Sequence, residues 1–188
     1  MDDGYRDNFL NAYPILKEFN LPATIFLATG FIGTNKRMLR YEHMPVPDML
    51  SWEEVNIMKR NNITFGPHTT SHPHMYDLSY SEQKKEIESS MQTLYQKLGG
   101  ELAKKVFCYP YGEYNEDTLQ IMRELHVTIA LTTNDGTNSQ DEHPIELKRI
   151  AADGRDDLVD FMAKLAPNIP AEIRWRKYLL KKWIKSSV

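Results

Sequence analysis

At 188 residues the chain is long enough for one domain with a full hydrophobic core. Apolar residues make up 41% and charged residues 26%, the balance of an ordinary globular protein. A net charge of −3 gives no basis for nucleic acid as a partner, the single cysteine (Cys108) excludes an internal disulfide, and no apolar run approaches the ~18 residues of a membrane helix.

Asp2-Asp3-Gly4 opens the chain and, taken alone, is an ordinary turn or helix cap. Residues 5–19 read as a helix whose apolar face is Phe9, Leu10, Tyr13, Leu16 and Phe19, and residues 23–28 (ATIFLA) as a buried strand. Residues 33–49, with Pro45 and Pro47, read as a loop able to border a groove. The next helix spans 52–60, with Ser51 as its cap and Glu54 completing a capping box. A short strand at 63–66 runs into His68-Thr69-Thr70-Ser71-His72.

The strongest helix signal lies over 79–98, opened by Ser79 with Glu82 three residues on and closed by Gly99-Gly100. A strand at 106–109, a helix at 116–125, strands at 128–132 and 147–150 and a helix at 156–165 follow. Residues 171–188 set Arg174, Arg176, Lys177, Lys181, Lys182 and Lys185 against Glu172, with Trp175, Tyr178, Leu179, Trp183 and Ile184 interleaved. That is a basic amphipathic helix. It reads first as a terminal helix packed on the domain, and second as a contact for an anionic polymer or a membrane surface. Strands alternating with helices across short loops imply an α/β fold with a parallel sheet, open or closed.

Three segments carry the chemistry. Two imidazoles and a carboxylate form the usual shell of a catalytic metal site with positions left open for water and substrate. His68 and His72 supply the imidazoles. Pro67 and Pro73 flank them and oppose a regular helix, so a tight turn must bring both rings to one ion. The zinc-protease motif needs Glu after its first histidine, where this chain has Thr69. Each segment alone is weak; Asp-Asp-Gly, the histidine pair and Tyr109-Pro110-Tyr111-Gly112 in this order are specific.

With its DDGY opening, "LPATIFLATGFIG", "LSWEEV", "FGPHTTSHPHM", "FCYPYGEYN" and "ALTTNDGTN…LKRI", the chain resembles the polysaccharide deacetylases of the NodB-homology type, carbohydrate esterase family four, over residues 1 to about 165. It is similar to the subgroup with Tyr-Pro-Tyr-Gly in the third motif. The resemblance implies a distorted (β/α)7 barrel over 1–169, with 170–188 as the basic terminal helix. It also implies a metal-dependent hydrolase that removes N-acetyl groups from an N-acetylated glycan. Asp2 matches the catalytic base, Asp3, His68 and His72 the metal ligands, and Thr69 the hydroxyl that braces their loop. Pro110 and Tyr111 match residues lining the sugar groove, with the Tyr111 backbone N–H directed at the oxyanion. The metal implied is zinc first, with cobalt, nickel or iron compatible. A non-sugar amide or an O-acetyl ester is the alternative substrate, and a glycan-binding barrel without turnover the alternative function.

The chain departs from the family pattern at three places. Cys108 stands where an Arg usually orients the catalytic Asp, and Arg149 is the candidate replacement. The usual Leu-x-His, source of the general acid, is absent, since no histidine follows His143. The family's first strand precedes Asp-Asp-Gly, where this chain has Met1 alone, so the N-terminus reads as truncated and Asp2 as poorly held. Low activity is the expectation for such a fragment. The compartment is cytoplasmic by default, with export open. His43 and His74 receive no role; Tyr41, Trp52, Tyr76, Tyr109 and Tyr114 are candidate stacking faces, although aromatic residues more often serve as core.

Overall fold

The computed structural model describes residues 1–36, 47–100 and 105–165. Two segments named above fall outside them: the basic helix over 170–188, and Tyr41 and His43 within the 33–49 loop.

Five strands are described, all in parallel pairs. β1 (Ala23–Leu27) pairs with β2 (Ile63–Pro67) in register from Ala23 opposite Ile63 to Leu27 opposite Pro67. β3 (Val106–Cys108) pairs with β4 (Ile129–Asp135), and β4 with β5 (Leu147–Arg149). Both sheets are crossed by helices: α2 (Trp52–Lys59) before β2, α3 (Tyr80–Leu98) before β3 and α4 (Glu116–Glu124) before β4. Each begins where its sequence signal puts it. Ser51 Oγ accepts from the Glu54 N–H at 3.1 Å while the Glu54 carboxylate accepts from the Ser51 N–H at 2.9 Å. At α3 the Glu82 carboxylate accepts from both the N–H and the hydroxyl of Ser79, and at α4 Asn115 and Thr118 cap reciprocally. A last helix, α5, covers Leu158–Leu165.

The expected helix over 5–19 is corrected. Tyr5 instead makes an antiparallel bridge to Met49, a π-helical stretch runs over Asn8–Ala12, and α1 proper is Tyr13–Glu18. The wider turn shifts the buried face, so Asn8 and Tyr13 are buried while Leu10 is exposed; Phe19, past the end of α1, is exposed as well. The core forms two groups. Ile25, Leu27, Leu50, Val55, Met58 and Leu94 fill the space around β1 and β2. Phe107, Tyr109, Ile121, Met122 and Ala130 do the same around β3 and β4.

The first residues are not frayed. The Met1 amine donates to the Thr24 carbonyl at 2.9 Å, the Phe26 N–H donates to Met1 O at 2.9 Å, and the Ala28 N–H to Asp3 O at 3.3 Å. These bonds run in the pattern of a parallel pairing along the edge of β1. The expectation of a poorly held Asp2 is thereby corrected: residues 1–3 are tied to the sheet.

Candidate metal centre

Each candidate residue sits just past the carboxyl end of a strand or strand-like segment. Asp3 follows the ladder beside β1, His68 and His72 follow β2, Pro110 and Tyr111 follow β3, and Arg149 ends β5. Loops are free to vary there while the strands fix their roots.

Asp3, His68 and His72 converge. His68 Nε2 lies 3.4 Å and His72 Nε2 3.2 Å from Asp3 Oδ1, and all three side chains are buried. One donor atom from each of the three falls within 4.8 Å of the others. The Nδ1 of His68 is 2.7 Å from the Cys108 carbonyl. A carbonyl only accepts, so Nδ1 carries a proton and Nε2 is the ligating atom of the neutral ring. Two imidazoles and a carboxylate are the donor set a zinc-type ion takes, so the residues fit such a group.

The electrostatics match that donor set. Burial alone would raise the Asp3 pKa, but hydrogen bonds and charge from His68 and His72 hold it well below the usual carboxylate range. Burial alone would lower the His68 pKa. The Coulombic influence of Cys108 and the hydrogen bonds to Asp3 and Cys108 instead push it up to about 10. The pair holds a proton that a cation would have to displace.

Backbone conformation concentrates strain here. Asp3 (φ 71°), Thr69 (62°), His72 (55°) and Tyr111 (55°) all lie in the left-handed region without being glycine. Such conformations persist only where the surroundings hold them. Thr69 Oγ1 donates to the His68 carbonyl at 2.6 Å and accepts from the His72 N–H at 3.1 Å, bracing one ligand against the other.

Asp2 lies beside the trio. Arg149 Nη1 donates to its two carboxylate oxygens at 2.9 and 2.8 Å, while Arg149 Nε donates to the Thr132 carbonyl at 2.7 Å. The register of β4 against β5 shifts between Leu131 and Asp135, the stretch that holds Thr132. Asp2, His68 and Cys108 form a second donor grouping, but Asp2 is committed to Arg149 and the His68 Nδ1 to the Cys108 carbonyl.

Pro110 is buried and starts the turn Pro110–Gly112 that carries Tyr111. The Tyr111 ring meets the His72 ring edge-on at 4.6 Å and stacks on His74 at 4.0 Å and 7°. Gly112 is required: its φ is +75°, and a Cβ there would run into the backbone nitrogen and side chain of Thr133. Of the candidate stacking residues, Tyr109 is core, its hydroxyl donating to the Ile145 carbonyl at 2.8 Å, and Trp52 faces Lys97. Tyr76 is exposed.

Sequence reasoning missed two residues. His74, given no role, pairs through Nδ1 with Glu113 at 2.9 Å while stacked on Tyr111. Glu86, on α3, is hydrogen-bonded to the histidine loop. Neither carries a local signal, because both act across the fold.

The family model for polysaccharide deacetylases matches residues 1–130. The chain belongs to the polysaccharide deacetylase family. It is 30% identical over 149 residues to YxkH of Bacillus subtilis (strain 168), covering 79% of this chain and 48% of that protein. Against the poly-beta-1,6-N-acetyl-D-glucosamine N-deacetylase of Staphylococcus aureus (strain MRSA252) the identity is 30% over 133 residues, covering 65% and 42%. Among solved structures, the Streptococcus pyogenes deacetylase PplD in complex with acetate is similar with a TM-score of 0.74 and 28% identity, covering 87% of this chain and 67% of that one. The chain spans about half the length of the curated deacetylase relatives it matches.

Proposed function

We propose that this chain is the catalytic domain of a metal-dependent hydrolase that removes N-acetyl groups from a glycan rich in N-acetylglucosamine. One observation carries the reading: Asp3, His68 and His72 converge within ligating distance of one cation, beside an Asp2 carboxylate held by Arg149. The likeness to the S. aureus N-deacetylase supports the substrate class, and the likeness to PplD supports a (β/α)7 barrel. Arg149 spans from β5 to Asp2, as a closing contact of such a barrel would.

An amide carbonyl is a poor electrophile and neutral water a poor nucleophile. When bound, a divalent cation such as zinc would polarise the acetyl carbonyl and acidify water. Asp2 takes the proton of the attacking water as a carbon–oxygen bond forms at the acetyl carbon. Arg149 keeps that carboxylate in one orientation throughout. The Tyr111 backbone N–H is the candidate donor to the oxyanion; one such donor is worth roughly 3 kcal/mol of barrier. The carbon–nitrogen bond then breaks, leaving a free amine and acetic acid, which loses its proton to solvent as acetate. Asp2 has just accepted a proton, and returning it to the departing nitrogen closes the balance without a second acid. Acetate release from N-acetylglucosamine oligomers by the zinc-loaded chain is the test, and no release above that of His72→Ala would refute the reading.

A further inference from the structure

The loop joining the two histidine ligands is clamped from both sides. On the β1 side, the N–H groups of Thr29 and Gly30 donate to the carbonyls of Thr69 and Thr70 at 3.1 and 2.8 Å. On the opposite side stands Glu86 of α3. Its Oε2 accepts from the Thr70 N–H at 2.9 Å and the Ser71 N–H at 2.8 Å, its Oε1 from the Ser71 hydroxyl at 2.9 Å, and its backbone carbonyl from Thr70 Oγ1 at 3.3 Å. Consecutive N–H groups aimed at one carboxylate are a backbone nest for an anion, and charge-assisted bonds of this kind are the stronger ones.

The placement is what matters. Thr70 and Ser71 lie between Thr69 and His72, both of which hold left-handed backbone that a threonine or a histidine adopts only under constraint. Released from α3, the loop can relax those angles, and the His68 and His72 nitrogens then separate. Helix α3 starts and ends with its own caps and buries Gln83, Ile87, Ser90, Met91 and Leu94 on its inner face. Glu86 is therefore not needed to form the helix; the bonds it makes go to the loop.

We infer that Glu86 is a positioning residue for the metal centre, setting the separation of the two histidine ligands through the loop between them. The inference rests on the metal-site reading of Asp3, His68 and His72. Glu86 touches neither substrate nor cation, and its effect is on affinity for the ion.

The test is zinc affinity, measured with the metal alone by competition against a chromophoric chelator, for the whole chain and its variants. Glu86→Ala should weaken binding roughly 10- to 100-fold, the usual effect of losing a partner that orients a ligand. Glu86→Gln can keep all three bonds, its carbonyl oxygen receiving both N–H groups and its amide donating to the Ser71 hydroxyl, so it should bind within about threefold of the parent. Should the alanine variant fail to fold, Glu86→Asp retains the charge but draws the carboxylate back by one methylene, and should still lose about tenfold or more. The Co2+ visible spectrum of that variant should change with the ligand geometry. Affinity within about threefold of the parent for either Glu86→Ala or Glu86→Asp, or a Glu86→Gln as weak as alanine, overturns the role of Glu86 while leaving the metal site standing. A parent chain that binds zinc no better than His68→Ala removes the metal-site reading, and the Glu86 role with it.

Discussion

In the proposed reaction Asp2 and Arg149 divide the work of a base between a group that moves a proton and a group that keeps it aimed. The family resemblance sets Cys108 where an arginine would be expected to orient this carboxylate; here the Arg149 guanidinium bonds it from β5 at 2.8 and 2.9 Å. Asp2→Asn should lower turnover roughly 10²- to 10⁴-fold with zinc content unchanged, since only the proton acceptor is lost. Arg149→Ala should cost about 10- to 100-fold in turnover, again with the metal retained. Metal loss in either variant would show that these side chains hold the ion instead. The same scale sets a pH dependence. His68 is raised from an ordinary 6.5 to about 10 in the metal-free fold. Its protonated form therefore stabilises the metal-free protein fully below about pH 6.5, and that contribution is lost as pH climbs towards 10. Zinc must displace this proton, so zinc affinity should rise about tenfold per pH unit between pH 7 and 9, with about one proton released per ion. A flat affinity across that interval would contradict the raised pKa.

At the scale of elements, the turn Pro110–Gly112 presents Tyr111 and depends on one glycine. Gly112→Ala adds a Cβ against the Thr133 backbone at a φ of +75°. Thermal or denaturant unfolding should show a loss of about 2 kcal/mol or more, and an unchanged stability would mean the turn rearranges freely. The helices and strands were largely legible in the residues. Ser51 with Glu54 and Ser79 with Glu82 announced α2 and α3, and both capping arrangements are present. The N-terminal helix departs from expectation because Phe9, Leu10, Tyr13, Leu16 and Phe19 fit a 3.6-residue period, whereas the stretch over Asn8–Ala12 is π-helical with Leu10 exposed, and α1 ends at Glu18, leaving Phe19 beyond it and exposed. Glu86 was illegible for a different reason. In sequence it is one more glutamate on an amphipathic helix, and its partners lie 15 and 16 residues away. His74 resembled a stray loop histidine until Tyr111 and Glu113 came alongside it.

At the scale of the whole molecule, the proposed ion joins parts of the chain remote in sequence. Asp3 comes from the strand-like ladder on β1, and the histidines from the loop after β2, some sixty-five positions later. A ligand that binds only the folded state stabilises it by mass action, by about 2.7 kcal/mol at a free concentration 100 times its dissociation constant. Zinc should therefore raise the unfolding midpoint, a chelator should return it, and His72→Ala should abolish the difference. A midpoint that ignores zinc would mean the trio holds no ion. The trio itself was read from the family resemblance carried by Asp-Asp-Gly, the paired histidines and Pro-Tyr-Gly, since neither spacing nor composition shows that the first of these meets the second in space.

The most direct measurement is a crystal of the zinc-loaded chain with anomalous scattering recorded at the zinc edge. The expected result is a single strong peak about 2.0–2.2 Å from Asp3 Oδ1 and from the Nε2 atoms of His68 and His72, with Asp2 outside its ligand shell and still bonded to Arg149. A peak elsewhere, or none between those three side chains at saturating zinc, would contradict it.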